Sequence, residues 1–298
     1  MSTKTTETIL ITGASGHFGG LVLTHLTEAL GVPPSQIVAT SRNPANLSEW
    51  AAKGVQTRKA DYNDPETLHE AFKGAERLLL VSTDSLEGGV RLAQHLRAVE
   101  AAKAAGVEHI FYTSLPEAED SLISFAPDHL GTENAIKASG LKWTFLRNSW
   151  YCENLLYTIP GALASGTLYT ATGEGKLAYI PRKDLALAAA SALVATSGVD
   201  NQTFTLTGEE ALTVEAVAHL ISEKLHKPIA VVQVPPEAII EGAKSHGLPE
   251  SVAVMFASFD VATKAGQLGA VTSDFEKLTG KSPQPFAAWL DENVALFS

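Results

Sequence analysis

The stretch TILITGASGHFGG, residues 8–20, decides the fold of this chain, because an apolar strand runs into glycines spaced G-x-x-G-x-x-G and then into a helix. Gly13 can leave the strand in a conformation that a Cβ would block, and Gly16 lets backbone N–H groups approach a pyrophosphate. Gly19 lets the helix lie close to the strand. Free N–H groups at the helix N-terminus favour the phosphates. The pattern predicts a dinucleotide-binding turn, with an ordinary tight turn as the alternative.

The residues after the glycines supply the context that this motif requires. Apolar residues recur at helical spacing directly after the turn, at Phe18, Leu21, Val22, Leu26, Ala29 and Leu30. We therefore assign three more residues of the turn to the predicted cofactor contacts: Ser15, His17 and Phe18.

Composition and charge exclude several classes of protein. The chain has 298 residues, 45% of them hydrophobic, and a formal net charge of −11. It contains no apolar run long enough to cross a bilayer, and the polar segment MSTKTTET at residues 1–8 lacks the apolar core of a secretory signal. The single Cys152 excludes an intramolecular disulfide framework, and the negative charge argues against nucleic acid as a partner. We predict a cytoplasmic location, with no membrane and no nucleic-acid partner.

Strand-like and helical segments alternate through the first half of the chain. The predicted strands are 9–12, 37–40, 55–60, 78–81, 110–114 and 144–146. Such alternation predicts a parallel sheet wrapped by helices. Asn43 and Asp64 each precede a proline and are predicted helix N-caps, whereas Gly106 and Gly140 are predicted to end helices.

After about residue 150 the pattern loosens. A helix at 184–195, a strand at 203–207 and a helix from about 213 to 225 are predicted there. The fold class is therefore α/β, with a doubly wound parallel sheet of the NAD(P)-binding Rossmann type and a smaller C-terminal α/β lobe. We predict the NADP-binding domain at residues 1–150, with segments near 178–208 returning to it, and a mainly substrate-covering lobe at 151–298.

The end of the second predicted strand indicates which dinucleotide is bound. An acidic residue there would accept hydrogen bonds from the ribose of NAD, but the sequence reads TSRN at residues 40–43. Arg42 suits the 2′-phosphate of NADP, and a solvated charge at a loop tip is its alternative. Asp61 and Tyr62, after the third strand, are predicted to lie over the adenine. An Asx turn leading to Asp64 is the alternative for Asp61.

Several segments together carry a resemblance to a known family. They are TGASGHFGG (12–20), SRNP (41–44), ADY (60–62), YTS (112–114), HLGTE (129–133) and LRNSWYCEN (146–154). Together they resemble the NmrA-like branch of the atypical short-chain dehydrogenases/reductases, most closely the type 2 NAD(P)H:quinone oxidoreductases and the triphenylmethane reductases. The resemblance implies NADP(H) as cofactor, with the nicotinamide and substrate between a Rossmann domain and a smaller lobe. It places Ser82 and Thr83 beneath the cofactor, and Thr113 with the candidate catalytic Ser114 on its nicotinamide side.

One departure from ordinary short-chain dehydrogenases matters for the chemistry. Their catalytic tyrosine and lysine are absent from the helix that follows Ser114, and the pair Tyr179 and Lys183 encloses a proline and comes after the sixth strand. In isoflavone reductase-like relatives a lysine occupies the position that ungapped matching gives to His129. The resemblance thus implies that His129 is catalytic and faces the nicotinamide, a polar residue at a helix start being the alternative. Glu133, one turn later, is a candidate partner for the imidazole.

The missing tyrosine favours some substrates over others. A ketone that accepts hydride becomes a strongly basic alkoxide and needs a positioned acid. A quinone becomes a phenolate, whose conjugate acid titrates near 10 like that of tyrosine, and a cationic dye needs no proton at the reacting carbon. We therefore predict an aromatic or conjugated small-molecule acceptor.

The segment after the sixth strand is where such an acceptor is predicted to bind. Trp150 and Tyr151 can supply aromatic faces and Asn148 can hydrogen-bond a carbonyl oxygen, whereas core packing is the alternative for the aromatics. Cys152 is interpreted as a buried inert thiol. Because neither H-E-x-x-H nor C-x-x-C occurs, no metal site is predicted.

These observations lead to one main hypothesis and two others. The main one is an NADPH-dependent reductase that passes hydride from nicotinamide C4 directly to a quinone or similar conjugated acceptor. The others are an NmrA-type sensor of NAD(P) without turnover, and a carbonyl or imine reductase in which His129 is the acid. A homodimer is left open.

Overall fold

The structure is a computed structural model that describes residues 5–297. Its strands are β1 (Ile9–Ile11), β2 (Ile37–Ser41), β3 (Gln56–Lys59), β4 (Arg77–Leu80), β5 (His109–Ser114), β6 (Lys142–Asn148), β7 (Thr167–Thr170), β8 (Lys176–Leu177), β9 (Gln202–Leu206), β10 (Leu212–Thr213) and β11 (Ala230–Gln233). Its α-helices are α1 (His17–Thr24), α2 (Ser48–Ala52), α3 (Pro65–Phe72), α4 (Val90–Ala104), α5 (Ala126–Ser139), α6 (Ile159–Ser165), α7 (Arg182–Val194), α8 (Val214–Leu225), α9 (Pro236–Ser245), α10 (Glu250–Lys264), α11 (Asp274–Thr279) and α12 (Phe286–Asn293).

The central sheet has seven strands in the order β3-β2-β1-β4-β5-β6-β9. The first six are paired in parallel, and the order reverses between β1 and β4, which is the point where open α/β sheets bind ligands. Every strand predicted in the first half is present, with ends that differ by one or two residues. The predicted doubly wound α/β fold is confirmed.

One hydrophobic core cluster lies between this sheet and the helices α3, α4 and α5. The strands contribute Leu10, Leu78 and Ile110, and the helices contribute Phe72 and Ala98, all of them fully buried. Burying a side chain as large as Leu, Ile or Phe is worth about 1.5–3 kcal/mol. This packing holds the carboxyl ends of β1, β4 and β5 in fixed register.

The predicted helix boundaries are confirmed at four positions. The side chain of Asn43 accepts a hydrogen bond from the N–H of Ala45, and that of Asp64 caps α3. Gly106 and Gly140 have φ angles of 78° and 80°, the left-handed region that favours glycine.

The chain divides into two compact units. The first contains residues 5–115, Asp128–Arg147 and Leu185–Phe204, so a C-terminal segment returns to it; the second contains Pro116–Pro127, Asn148–Asp184 and 205–297. The second unit holds a parallel pair, β7 with β11, and an antiparallel pair, β8 with β10. The predicted helix 184–195 is α7, the predicted strand 203–207 is β9, and the helix predicted from about 213 is α8. Between residues 5 and 297 there is no helix both long and apolar enough to span a bilayer.

Candidate functional site

The glycine-rich turn between β1 and α1 has the backbone that its spacing predicts. Gly13 has a φ of 60°, and a Cβ on Gly19 would lie 2.5 Å from the carbonyl oxygen of Gly13 and 2.8 Å from Cα of Ala14. Gly16 is exposed, and it begins α1 without a side-chain cap. The fold itself requires Gly13 and Gly19, whereas Gly16 leaves open backbone where the pyrophosphate is predicted.

The turn is tied to the end of β2. The hydroxyl oxygens of Ser15 and Ser41 are 2.9 Å apart, and the N–H of Asn43 donates to Ser41 Oγ at 3.2 Å. Arg42 lies between these two residues and is exposed, as is His17, whereas Phe18 is half-buried. The structure therefore places the predicted contacts Ser15 and Arg42 around one strand end.

At the end of β3, Asp61 forms the Asx turn that was the alternative to an adenine contact. Its Oδ1 accepts a hydrogen bond from the N–H of Asn63 at 2.9 Å. The hydroxyl of Tyr62 donates to Thr12 Oγ1 at 2.7 Å and also lies 3.0 Å from the carbonyl oxygen of Val81. Burial raises the pKa of Tyr62. Tyr62 thus joins the ends of β1, β3 and β4, and its contact with adenine stays a prediction.

Three predicted cofactor contacts, Ser82, Thr83 and Thr113, lie at the carboxyl ends of β4 and β5. The N–H of Ser82 donates to Thr113 Oγ1 at 2.8 Å, and that hydroxyl lies 3.2 Å from Ser82 Oγ. The N–H of Thr83 donates to Nε2 of His95 at 3.0 Å. The hydroxyl oxygen of Thr83 is buried and has no hydrogen-bond partner among residues 5–297. An unpartnered buried hydroxyl is unfavourable, and a ligand that hydrogen-bonds to it would remove that penalty.

The hydroxyl of Ser114, at the end of β5, donates a hydrogen bond to Glu133. Its hydroxyl lies 2.6 Å from Oε1 of Glu133, and both carboxylate oxygens of Glu133 accept from Arg147, at 3.0 and 2.7 Å. Glu133 is fully buried. Since a carboxylate paired with a guanidinium only accepts hydrogen bonds, Ser114 must donate to it. Ser114 can therefore offer only lone pairs to a ligand.

His129 is buried in the first turns of α5, and its catalytic role stays a prediction. Its Nδ1 lies 2.8 Å from the hydroxyl of Tyr112 and its Nε2 lies 3.3 Å from Nη1 of Arg91. Because a guanidinium only donates, Nε2 accepts and the ring proton is on Nδ1. Burial, together with the charge of Arg91, holds the pKa of His129 well below its usual range. The imidazole thus has partners other than the predicted Glu133.

The residues predicted to hold the acceptor lie in the second unit. Nδ2 of Asn148 donates to the hydroxyl oxygen of Tyr151 at 3.3 Å, which leaves the proton of Tyr151 available to another group. The guanidinium of Arg182 lies 5.3 Å from the centre of the Tyr151 ring. Trp150 is half-buried and packs on Phe259, with ring centres 3.9 Å apart, and its contact with an acceptor stays a prediction. Burial raises the pKa of Tyr151.

Two interpretations of neighbouring residues agree with their surroundings. Cys152 is fully buried, and burial raises the pKa of its thiol, which is the environment of an inert cysteine. Tyr179 is also buried and packs against Phe286. Core packing therefore explains Tyr179, as expected if its spacing from Lys183 is a coincidence.

Four buried polar residues surround His129 and were not predicted from the sequence. Arg91 and His95 are one turn apart on α4, and Tyr112 and Thr132 come from β5 and α5. Together with His129 they form the polar cluster. The only sequence signal was the spacing of an arginine and a histidine by four residues in a helix, which is also typical of a solvated face.

Comparisons with known proteins agree over almost the whole chain. A model of the NmrA-like family matches residues 5–290. Over 272 residues the chain is 40% identical to quinone oxidoreductase 2 of Escherichia coli (strain K12), an alignment that covers 91% of this chain and 93% of that protein. The crystal structure of an NADPH-dependent quinone oxidoreductase from Escherichia coli, complexed with NADPH, matches with a TM-score of 0.90 at 38% identity and covers 97% of this chain and 100% of that one. The Citrobacter sp. triphenylmethane reductase complexed with NADP(H) matches with a TM-score of 0.86 at 35% identity and covers 96% and 99%.

Proposed function

The chain belongs to the NmrA-like family, and from that premise we propose that it is an NADPH-dependent oxidoreductase that transfers hydride directly to a quinone or a similar flat conjugated acceptor. The family resemblance predicted from the sequence is confirmed. The observation that carries the proposal is the glycine-rich turn tied to the strand end at Arg42, in a chain that resembles quinone and dye reductases over more than nine-tenths of its length.

The residues at the carboxyl end of the sheet fit a dinucleotide. Gly16 presents backbone without a side chain at the start of α1, where N–H groups and the helix dipole favour a pyrophosphate. Arg42 offers charge-assisted hydrogen bonds to a 2′-phosphate. The buried hydroxyl of Thr83, which lacks a partner among residues 5–297, can bond to a sugar hydroxyl. We propose that these residues, with Ser15, Ser82 and Thr113, hold NADP(H).

The proton positions of two residues support a quinone-like acceptor over a ketone. A reduced nicotinamide supplies a hydride when it is bound. The Ser114 hydroxyl donates its hydrogen bond to Glu133. It can therefore accept a hydrogen bond from an N–H or O–H of a ligand but cannot donate one to the acceptor's oxygen. His129 is neutral, with its proton directed at Tyr112, so it does not supply an imidazolium acid.

The basicity of the reduced product then decides which acceptor can react without a positioned acid. Hydride transfer to a ketone leaves an alkoxide that needs an acid. Hydride transfer to a quinone leaves a phenolate, which can take its proton from water because its conjugate acid titrates near 10. We propose that Asn148, Trp150 and Tyr151 bind the acceptor. The Tyr151 hydroxyl, whose oxygen accepts from Asn148, would hydrogen-bond to the acceptor's oxygen but keep its proton, because burial raises the pKa of Tyr151. The catalytic assignment of His129 stays a prediction, and its surroundings favour a positioning role.

Steady-state NADPH oxidation against matched acceptors tests the proposal. We expect turnover with quinones and cationic triarylmethane dyes, and far slower turnover with simple ketones of similar size. NADPH binding without turnover of any acceptor would instead support the sensor hypothesis. Ketone reduction as fast as quinone reduction would support the acid-assisted carbonyl reductase.

A further inference from the structure

Two buried polar side chains on α4 hold the segment that leads from β4 into that helix. Arg91, 5% exposed, donates from Nε and Nη2 to the carbonyl oxygen of Ser85 at 3.1 and 3.0 Å. His95, fully buried and one helical turn later, accepts from the N–H of Thr83 at 3.0 Å. Arg91 thus donates to one backbone group of the segment, and His95 accepts from another that is two residues away. We call this arrangement the α4 clamp.

The hydrogen bonds fix the tautomer of His95. Because Nε2 accepts from a backbone N–H, the ring proton must be on Nδ1. Nδ1 lies 2.9 Å from Thr132 Oγ1, and that hydroxyl donates its own proton to the carbonyl oxygen of Asp128 at 2.7 Å. Burial and the nearby charge of Arg91 lower the pKa of His95 to about 3, so the ring is neutral under ordinary conditions.

The clamp is supported from β5 and α5. His129 accepts from Arg91 through Nε2, and its Nδ1 lies 2.8 Å from the hydroxyl of Tyr112. Each buried polar group in this set has a partner, which is the condition under which burying it is tolerable. Apolar side chains would fill the same space without that requirement, whereas these polar side chains also bond to the backbone of Thr83 and Ser85 in the segment after β4.

The clamped peptide belongs to Thr83, whose hydroxyl is buried and unpartnered within residues 5–297. We propose that His95 is a positioning residue of the NADP(H) site, acting through the N–H of Thr83 to aim that hydroxyl at a hydroxyl group of the cofactor's sugar. The inference rests on the proposed function, because it needs the cofactor to bind at this strand end.

Two substitutions at His95 separate its two hydrogen bonds. The amide of His95→Gln reaches the position of Nε2 and can accept from Thr83, whereas that of His95→Asn reaches only the position of Nδ1, toward Thr132. We expect the Kd for NADPH to stay within about threefold of wild type for His95→Gln and to rise about tenfold for His95→Asn, the scale of one lost hydrogen bond. Titration by NADPH fluorescence measures both.

Amide hydrogen exchange in the unliganded protein supplies a readout that does not depend on activity. The Thr83 amide should be protected in wild type and His95→Gln and should exchange faster in His95→Asn. Val99→Ala is the matched control, because Val99 is buried one turn further along α4 and outside the clamp. It should lower Tm without changing the Kd or the exchange of Thr83.

If neither His95 variant folds, Thr132 provides the test. Thr132→Ser keeps the hydroxyl that accepts from Nδ1 and should behave as wild type, whereas Thr132→Val should weaken NADPH binding. The proposal is overturned if His95→Gln and His95→Asn bind NADPH equally, or if Val99→Ala weakens binding as much as His95→Asn. A wild-type protein that binds no NADPH would overturn the proposed function, and the exchange of Thr83 would still report on the clamp.

Discussion

The glycine-rich turn after β1 and the polar cluster behind β4 and β5 lie in the same unit but are specified in different ways. The turn comes from neighbouring residues, and its requirement at Gly19 is a backbone contact that a Cβ would make at 2.5 Å. The cluster joins Arg91, Tyr112 and His129 from three separate elements. Local geometry therefore forms the proposed phosphate site, whereas long-range packing sets the proton positions at the proposed nicotinamide end.

The largest expected effect on cofactor binding concerns the glycine-rich turn. Gly16→Val should raise the Kd for NADPH more than about a hundredfold, because the side chain fills the approach of the pyrophosphate. The far-UV circular dichroism should be preserved, because within 4 Å a Cβ at Gly16 meets only the carbonyl oxygen of Gly13, at 3.3 Å, a tight contact that a shift of a few tenths of an ångström relieves. Gly20→Ala, where the added Cβ would find ordinary contact at 3.8 Å, is the control. Normal binding by Gly16→Val would place the phosphate site elsewhere.

The buried ion pair of Glu133 with Arg147 should contribute to the free energy of unfolding. Glu133→Ala leaves Arg147 nearly buried without its carboxylate, and the free energy of unfolding should fall by about 3–5 kcal/mol, the scale for breaking a buried ion pair. Urea unfolding monitored by fluorescence measures it. Glu70→Ala, which removes the exposed pair with Lys73, should change stability little. Equal effects of the two substitutions would contradict the burial of the Glu133 pair.

Acid should act on the cluster and not on the turn. His95 and His129 have lowered pKa values in the folded protein, so below the unfolded value near 6.5 the unfolded chain binds protons that the native chain does not. Stability should therefore fall with decreasing pH, with a slope that approaches about 1.4 kcal/mol per pH unit for each such histidine well below pH 6.5. His109, whose pKa burial lowers to about 4, adds to this slope from outside the cluster. Urea midpoints between pH 6.5 and 5 test this. His95→Gln should remove one histidine's share of the slope, and an unchanged slope would show that His95 titrates normally.

Cofactor choice should depend on the exposed end of β2. Arg42→Ala should weaken NADPH binding by roughly 1.5–3 kcal/mol, the worth of hydrogen bonds to a charged group, and should leave NADH unchanged. Isothermal titration with both nucleotides measures the difference. Arg97→Ala, which removes an exposed guanidinium that bonds to the carbonyl oxygen of Tyr62, is a matched loss of charge and should affect both nucleotides little. Equal losses for both nucleotides in Arg42→Ala would contradict the assignment.

The sequence was sufficient where local rules govern. Glycine spacing, the caps at Asn43 and Asp64 and the strand pattern depend on neighbours within a few residues, and the structure has all of them. The partners of Ser114 and His129 depended on which residues α4 and α5 bring to β5, and no local pattern carries that information. The resemblance to a family named Ser114 and His129 as candidates, but it did not give the direction of their hydrogen bonds.

The most direct test of acid-free hydride transfer is the single-turnover rate of NADPH oxidation by a quinone from pH 6 to 9. Because His129 is neutral across this range, we expect the wild-type rate to stay level through the pH region near 6.5 where an ordinary histidine titrates. His129→Gln should reduce the rate by less than the roughly hundredfold loss expected for a general acid. A tenfold fall per pH unit above about 6.5, absent in His129→Gln, would contradict this and make His129 the acid.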